Sequence, residues 1–144
     1  MPNKANEMIT YNFANVSVVF GTTVVSGFAK ADDCVSITQD EDSWQKVMGA
    51  TGDCIRVKTG DRSCSITLKL LQEAKSNDDL HNLMTVDEAT GAGALPLFLV
   101  DNISGEKYSV KTAWIKKQPD LVRGVGANTI TWTLQGNEMI RVPK

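Results

Sequence analysis

His81 is the only histidine in the chain, so any imidazole-based acid–base or metal chemistry would have to be built around it. It follows Leu80 in a predicted helix, off the apolar stripe, and reads as a solvated helix residue. No HExxH, GxSxG or GxxxxGK[ST] pattern occurs. Gly124-Val125-Gly126 is the nearest approach to a phosphate loop, but the strand-like run Thr129–Leu134 follows it where a helix would be needed, so it reads as a turn. Asp32-Asp33 and Asp40-Glu41-Asp42 offer carboxylates of the kind calcium takes. They lack the EF-hand spacing with its glycine and read as solvated loop acids. The cysteines are Cys34, Cys54 and Cys64, an odd number with no CxxC pair. That pattern disfavours a disulfide framework or a zinc site, and free thiols point to a reducing compartment. A nucleophilic thiol needs an activating base or cation; Cys64 follows Arg62-Ser63, which is a weak signal, and packing in the core or at the surface is the expected role. No catalytic set, metal site or cofactor site emerges, and the chain is expected not to be an enzyme.

Composition narrows the classes further. The chain has 144 residues, 42% apolar and 22% charged, which is enough to bury a core in one domain spanning 1–144. Fifteen basic and seventeen acidic residues give a net charge of -2, which argues against a surface built to grip nucleic acid. The start, Met1-Pro2-Asn3-Lys4-Ala5-Asn6-Glu7, lacks the apolar segment of a secretory signal, and no apolar run reaches the length of a membrane span. The sequons at Asn15 and Asn102 therefore read as chance occurrences.

The elements that would position these residues are mostly strands. Period-two alternation appears at Ile9, Tyr11 and Phe13, then in opposite phase at Val16, Val18 and Phe20, which places a turn or bulge at Ala14-Asn15. Strands are also expected at 22–26 between Gly21 and Gly27, from Val35 to the acidic run, at 65–70, at 95–101, at 107–117, at 129–134 and at 139–142. The one predicted helix covers 76–90. Ser76 is its N-cap, Asp79 stands at the third position, and Leu80, Leu83 and Met84 form one apolar stripe. About eight strands with one helix predict a mainly β fold, a sandwich or barrel with the helix packed on it. Trp114 and Trp132 are expected in the core.

Residues 41–62 read differently. Trp44, Val47, Met48 and Ile55 are interspersed with Gly49, Gly52 and Gly60, as in an extended excursion that is mobile in a free subunit. Trp44 has no obvious partner within the chain and is a candidate subunit anchor. The candidate subunit-interface residues are Trp44, Val47, Met48, Ile55, Arg56, Lys58, Asp61 and Arg62. Charge is also segregated, with acids and no base over 31–42 and bases with Asp120 as the sole acid over 107–123. If the two segments lie at opposite ends, head-to-tail stacking sets acid on base; otherwise they are scatter on a solvated surface.

The order of features resembles the tail tube proteins of contractile-tailed bacteriophages. It is carried by Tyr11-Asn12-Phe13-Ala14-Asn15-Val16, Gly27-Phe28-Ala29-Lys30-Ala31-Asp32-Asp33, Gly49-Ala50-Thr51-Gly52-Asp53 and 59–68. Ser76-Asn77-Asp78-Asp79-Leu80, 113–120 and Ile130-Thr131-Trp132-Thr133-Leu134 continue it over nearly the whole chain. The family pattern reads Gly-Ala-Asp-Gly where this chain has Gly49-Ala50-Thr51-Gly52, which alters that loop's charge and keeps its turn glycines. The resemblance implies a β-sandwich or barrel flanked by a helix, with a long hairpin, 41–62, reaching a neighbour. It implies a structural virion subunit, assembled in the bacterial host cytoplasm, that forms hexameric rings stacked into an inner tube for DNA ejection. Its implied partners are further copies of itself, the tail sheath protein, baseplate and tail-terminator proteins, and, transiently in the lumen, the tape measure protein and DNA; no membrane is implied. The tube of a secretion system or tailocin is the related alternative, and a monomeric β-sandwich binding module is the alternative from another class.

Overall fold

A computed structural model describes residue 8 and residues 10–143. Among them are ten strands and one α-helix. The strands are β1 (Val16–Phe20), β2 (Thr23–Val25), β3 (Val35–Gln39), β4 (Trp44–Met48), β5 (Cys54–Lys58), β6 (Cys64–Leu71), β7 (Leu95–Asp101), β8 (Lys107–Lys117), β9 (Thr129–Gly136) and β10 (Met139–Val142). The helix α1 spans Lys75–Thr90. Eight strands form one antiparallel sheet in the order β2-β1-β7-β8-β9-β6-β3, with β10 beside β8, and β4 pairs with β5 apart from it. The sheet curls on itself. Beyond β2, Phe28 bridges Leu70, and the Ala29 and Leu71 amides exchange bonds with Lys69 and Gly27 carbonyls, so the chain after the first edge strand reaches β6 near the other edge. The mainly β expectation holds: about eight strands were expected beside a long hairpin at 41–62, and the structure has eight strands in the sheet and two in that hairpin.

Alternation explains the core. Cys64, Ile66, Leu68 and Leu70 of β6 and Trp132 and Leu134 of β9 point inward, where Val18, Phe20, Leu97, Val110 and Ile115 meet them. Leu80 and Met84 of α1 close this core, with Leu83 packed at its edge, as the predicted stripe requires. Gly91, in the left-handed conformation, ends the helix through a 2.7 Å bond from its amide to the Asp87 carbonyl.

Three expectations need correction. Ser76 is not the N-cap: the helix begins at Lys75 behind Ala74, which makes no side-chain cap. Ser76 is buried, and its Oγ accepts a 2.8 Å bond from the Ser26 amide, so a tie to the end of β2 has claimed the hydroxyl. Asp79 accordingly lies beyond the third helical position, and Asp78 is the acid of the first turn. Trp114 is only half-buried, because its neighbours Ala113 and Ile115 take the inward positions on β8. The expected strand at 9–13 is replaced, at Phe13–Asn15, by a 3-10 turn in which Asn12 Oδ1 accepts from the Ala14 amide at 3.0 Å; Ile9 lies outside the described residues. Phe13 there packs edge-on against Phe28.

The two parts of the sheet present different outer faces. On the β3-β6-β9-β8 side the outward rows are Thr38–Ser65–Gln135–Trp114 and Ser36–Thr67–Thr133–Lys117, mostly hydroxyl and amide groups. On the β2-β1-β7-β8-β10 side the outward row is Val24–Val19–Phe98–Ser109–Ile140, four apolar residues and one serine.

Candidate subunit interface

The 41–62 segment is a regular hairpin. Trp44 pairs with Lys58, Gln45 with Val57, Lys46 with Arg56, Val47 with Ile55 and Met48 with Cys54. Its tip is closed by a 2.7 Å bond from the Gly49 amide to the Asp53 carbonyl, and Thr51 Oγ1 donates to Asp53 Oδ2 at 3.3 Å. At the base, Thr59 Oγ1 donates to the carbonyls of Asp42 and Ser43, and Gln39 Nε2 donates to the Glu41 carbonyl at 2.7 Å. Ser65 Oγ donates to Asp40 Oδ1 at 2.6 Å, tying the base to β6. The hairpin is therefore well anchored at its root, while every residue of both its strands is exposed.

Directly opposed residues share a face, so the pairing sorts the side chains. One face carries Trp44, Lys46, Met48, Cys54, Arg56 and Lys58, and there the Arg56 guanidinium lies 3.5 Å from the centre of the Trp44 ring. The opposite face carries Gln45, Val47, Ile55 and Val57, with no charge. Val47 is 54% exposed, Ile55 62% and Val57 42%. An isolated two-stranded hairpin is marginal in water, and one that holds three β-branched apolar residues out to solvent gains little from them within its own chain beyond the Val47–Ile55 cross-strand pair.

The expected interface residues thus divide. The hairpin brings Trp44, Met48, Arg56 and Lys58 to one face and Val47 and Ile55 to the other. Asp61 and Arg62 lie after the hairpin: Asp61 Oδ1 accepts from the Ser63 amide at 2.9 Å, which holds its carboxyl below the ordinary range, and the Arg62 carbonyl accepts from the Met139 amide at 3.3 Å. Sequence reasoning missed Gln45, Lys46 and Val57, although alternation from Val47 and Ile55 across a hairpin turn would have found them.

The residues considered for chemistry are dispersed. His81 is exposed on α1. Cys34 and Cys64 are buried and Cys54 exposed, none in a disulfide, and burial pushes the Cys34 and Cys64 thiols up, away from the nucleophilic thiolate. Among the described residues no group of three or more His, Cys, Asp or Glu could hold a metal ion. A cavity of about 1570 Å³ opens between the starts of β1 and β8 and the end of β7, and its lining includes Tyr11, Asp32, Asp101, Glu106 and Tyr108. No histidine or exposed thiol lines it. The acidic segment brackets β3 and the basic segment runs along β8 and past it, so neither is gathered at one end as simple head-to-tail charge stacking requires. Asp33 instead pairs with Lys69 at 2.8 Å, and that ammonium holds its carboxyl below the ordinary value. No helix of the described residues is long and apolar enough to cross a membrane.

A curled antiparallel sheet with one helix and a projecting hairpin that holds apolar residues out to solvent is a geometry suited to assembly. The chain belongs to the bacteriophage PhiTE tail tube protein family, whose model matches residues 8–141, and it is accordingly a structural tail-tube protein and a virion component. The resemblance read from the sequence is thereby borne out. Solved chains share the fold at low identity. The anti-feeding prophage tube-terminating cap superposes with TM-score 0.68 at 10% identity, covering 99% of this chain and 97% of that one. The sheath/tube terminator of the extracellular contractile injection system PVC, in its extended state, gives 0.62 at 13% identity, covering 94% and 98%. A chain of the PVC sheath–tube complex gives 0.60 at 14%, covering 94% and 93%. No curated protein sequence matches significantly.

Proposed function

We propose that this chain forms the inner tube of a contractile tail as stacked hexameric rings, and that the tube conducts DNA at ejection. The observation that carries the reading is the β4–β5 hairpin, which exposes apolar residues on both faces and is rooted firmly enough to be aimed at another molecule. In this reading Trp44, Val47, Met48, Ile55, Arg56 and Lys58 meet neighbouring copies, while Asp61 and Arg62 border the contact. Family membership supports the tube role. Because solved chains of this fold come from a sheath–tube complex and from terminators, the tail sheath and terminator proteins are the proposed outer and end partners, with the baseplate at the other end.

The hydroxyl-rich face of β3, β6 and β9 suits the channel wall. A conduit must let DNA slide, and each phosphate contact to Lys or Arg adds salt-dependent affinity that slows it. Of the bases near this face, Lys69 is engaged by Asp33, which leaves Lys117 and its exposed neighbour Lys116, at the β8 bulge, on the margin. The same wall would pass the tape measure protein, or the cargo of a phage-derived injection machine. Sedimentation velocity of purified protein tests assembly: rings or polymers are expected, and a persistent 15.7 kDa monomer at high concentration across salt conditions would contradict it.

A further inference from the structure

We infer that the uncharged face of the β4–β5 hairpin docks on the Val24–Val19–Phe98–Ser109–Ile140 stripe of a second copy of this chain. This rests on the assembly reading above and specifies which surfaces meet.

The two surfaces are complementary in chemistry and in size. The hairpin offers Val47, Ile55 and Val57 with Gln45; the stripe offers Val24, Val19, Phe98 and Ile140 with Ser109. Neither carries a charge, so no ion is desolvated on contact, and the single polar side chain of each can bond the other. Val24 is 63% exposed, Phe98 45% and Ile140 40%, with Val19 and Ser109 half-buried between them, so three of the stripe's four apolar residues stand uncovered within their own chain. The five-residue strands of the hairpin run about 17 Å. The stripe crosses the five strands β2, β1, β7, β8 and β10, whose four gaps of about 4.8 Å make about 19 Å. A ribbon laid along the stripe would therefore cover most of its length, crossing the strands beneath nearly at right angles, one of the two ways sheets pack. Each copy carries one hairpin and one stripe on different surfaces, so the contact is heterologous and propagates, as closed rings or stacks of rings require. The hairpin's other face, with Trp44, Met48, Lys46, Arg56 and Lys58, is left for a further copy, whose acids such as Asp40, Glu41 and Asp42 would meet its bases.

The test uses the full chain with the exposed thiol removed by Cys54→Ser, and with Ile55→Cys and Phe98→Cys added. Assembled protein treated with a short bismaleimide is expected to give covalent multimers whose linked peptides join 55 to 98. The matched control, Ile55→Cys with Thr133→Cys on the hydroxyl face, is expected to give none. In parallel, Phe98→Glu, a change at a solvent-facing site, is expected to keep the wild-type thermal midpoint and lower pelletable polymer at least about tenfold. Wild-type tubes that form while 55 and 98 fail to link, and that Phe98→Glu leaves intact, would overturn the docking and leave assembly standing. A wild-type chain that never assembles would overturn both.

Discussion

The indole Nε1 of Trp132 donates a 2.9 Å hydrogen bond to Asn77 Oδ1, joining the centre of β9 to the first turn of α1. The same Asn77 donates through Nδ2 to the Leu71 carbonyl at 2.9 Å, so one amide side chain fixes the helix to two strands. Asn77→Ala is expected to leave the nearly buried indole donor unpaired and to cost about 1–3 kcal/mol in denaturant unfolding. An unchanged midpoint would show that the bond contributes nothing net.

Gly27 sits at φ 77°, and a Cβ placed there would lie 2.5 Å from Ala74 Cβ, just before α1. Gly27→Ala combines a left-handed backbone with that clash and is expected to destabilise by about 2 kcal/mol or more, read as a lowered thermal midpoint. Gly52, at φ 94° with nothing within 4 Å, isolates the backbone part: Gly52→Ala is expected to cost less.

Thiol labelling separates the three cysteines. Exposed Cys54 is expected to react with iodoacetamide fast, while Cys34 and Cys64, buried with thiols pushed up, react only on unfolding. Replacing all three by Ser or Ala is expected to preserve assembly, with the largest stability loss at fully buried Cys64. Assembly lost in that variant, with wild-type assembly dependent on zinc or oxidation, would contradict this.

The Asp33–Lys69 pair has a defined pH signature. The Asp33 carboxyl is depressed, so its contribution to stability is present above the ordinary carboxylate pKa and is lost as pH falls through the lower, folded value. Lys69→Ala is expected to return the Asp33 titration, followed by NMR, toward its ordinary value, with little change in stability at neutral pH because the pair is exposed.

The channel-wall assignment is tested by adding charge. Thr67→Lys with Thr133→Lys, adjacent on the hydroxyl face, is expected to leave tubes intact and to confer salt-sensitive DNA retention that wild-type tubes lack. Equal DNA behaviour in both would place that face outside the channel.

Much of the fold was legible because burial imposes strict periods. The alternation in β6 and β9, the joined strands at 95–101 and 107–117, and the Leu80–Leu83–Met84 stripe each answer to one buried face. What failed was local chemistry overruled by tertiary contact. Ser76 looks like a cap until Ser26 claims its hydroxyl, and Trp114 looks like core until Ala113 and Ile115 take the inward positions. The outer stripe was hidden because Leu97-Phe98-Leu99-Val100 is apolar at every position, so no alternation reveals which side is uncovered. The hairpin at 41–62 was legible through the family resemblance, while its strand bounds were not read from the residues, because neither face is buried in the chain and the alternation there is not reinforced by a core.

Electron microscopy of the purified chain beside a variant lacking residues 43–60 tests assembly through the hairpin most directly. No residue of that segment belongs to the buried core, so the variant is expected to keep the wild-type fold by circular dichroism. The full chain is expected to form rings or tubes with six-fold symmetry, and the variant only monomers. Normal tubes from the variant, or none from the full chain, would contradict that assembly mechanism.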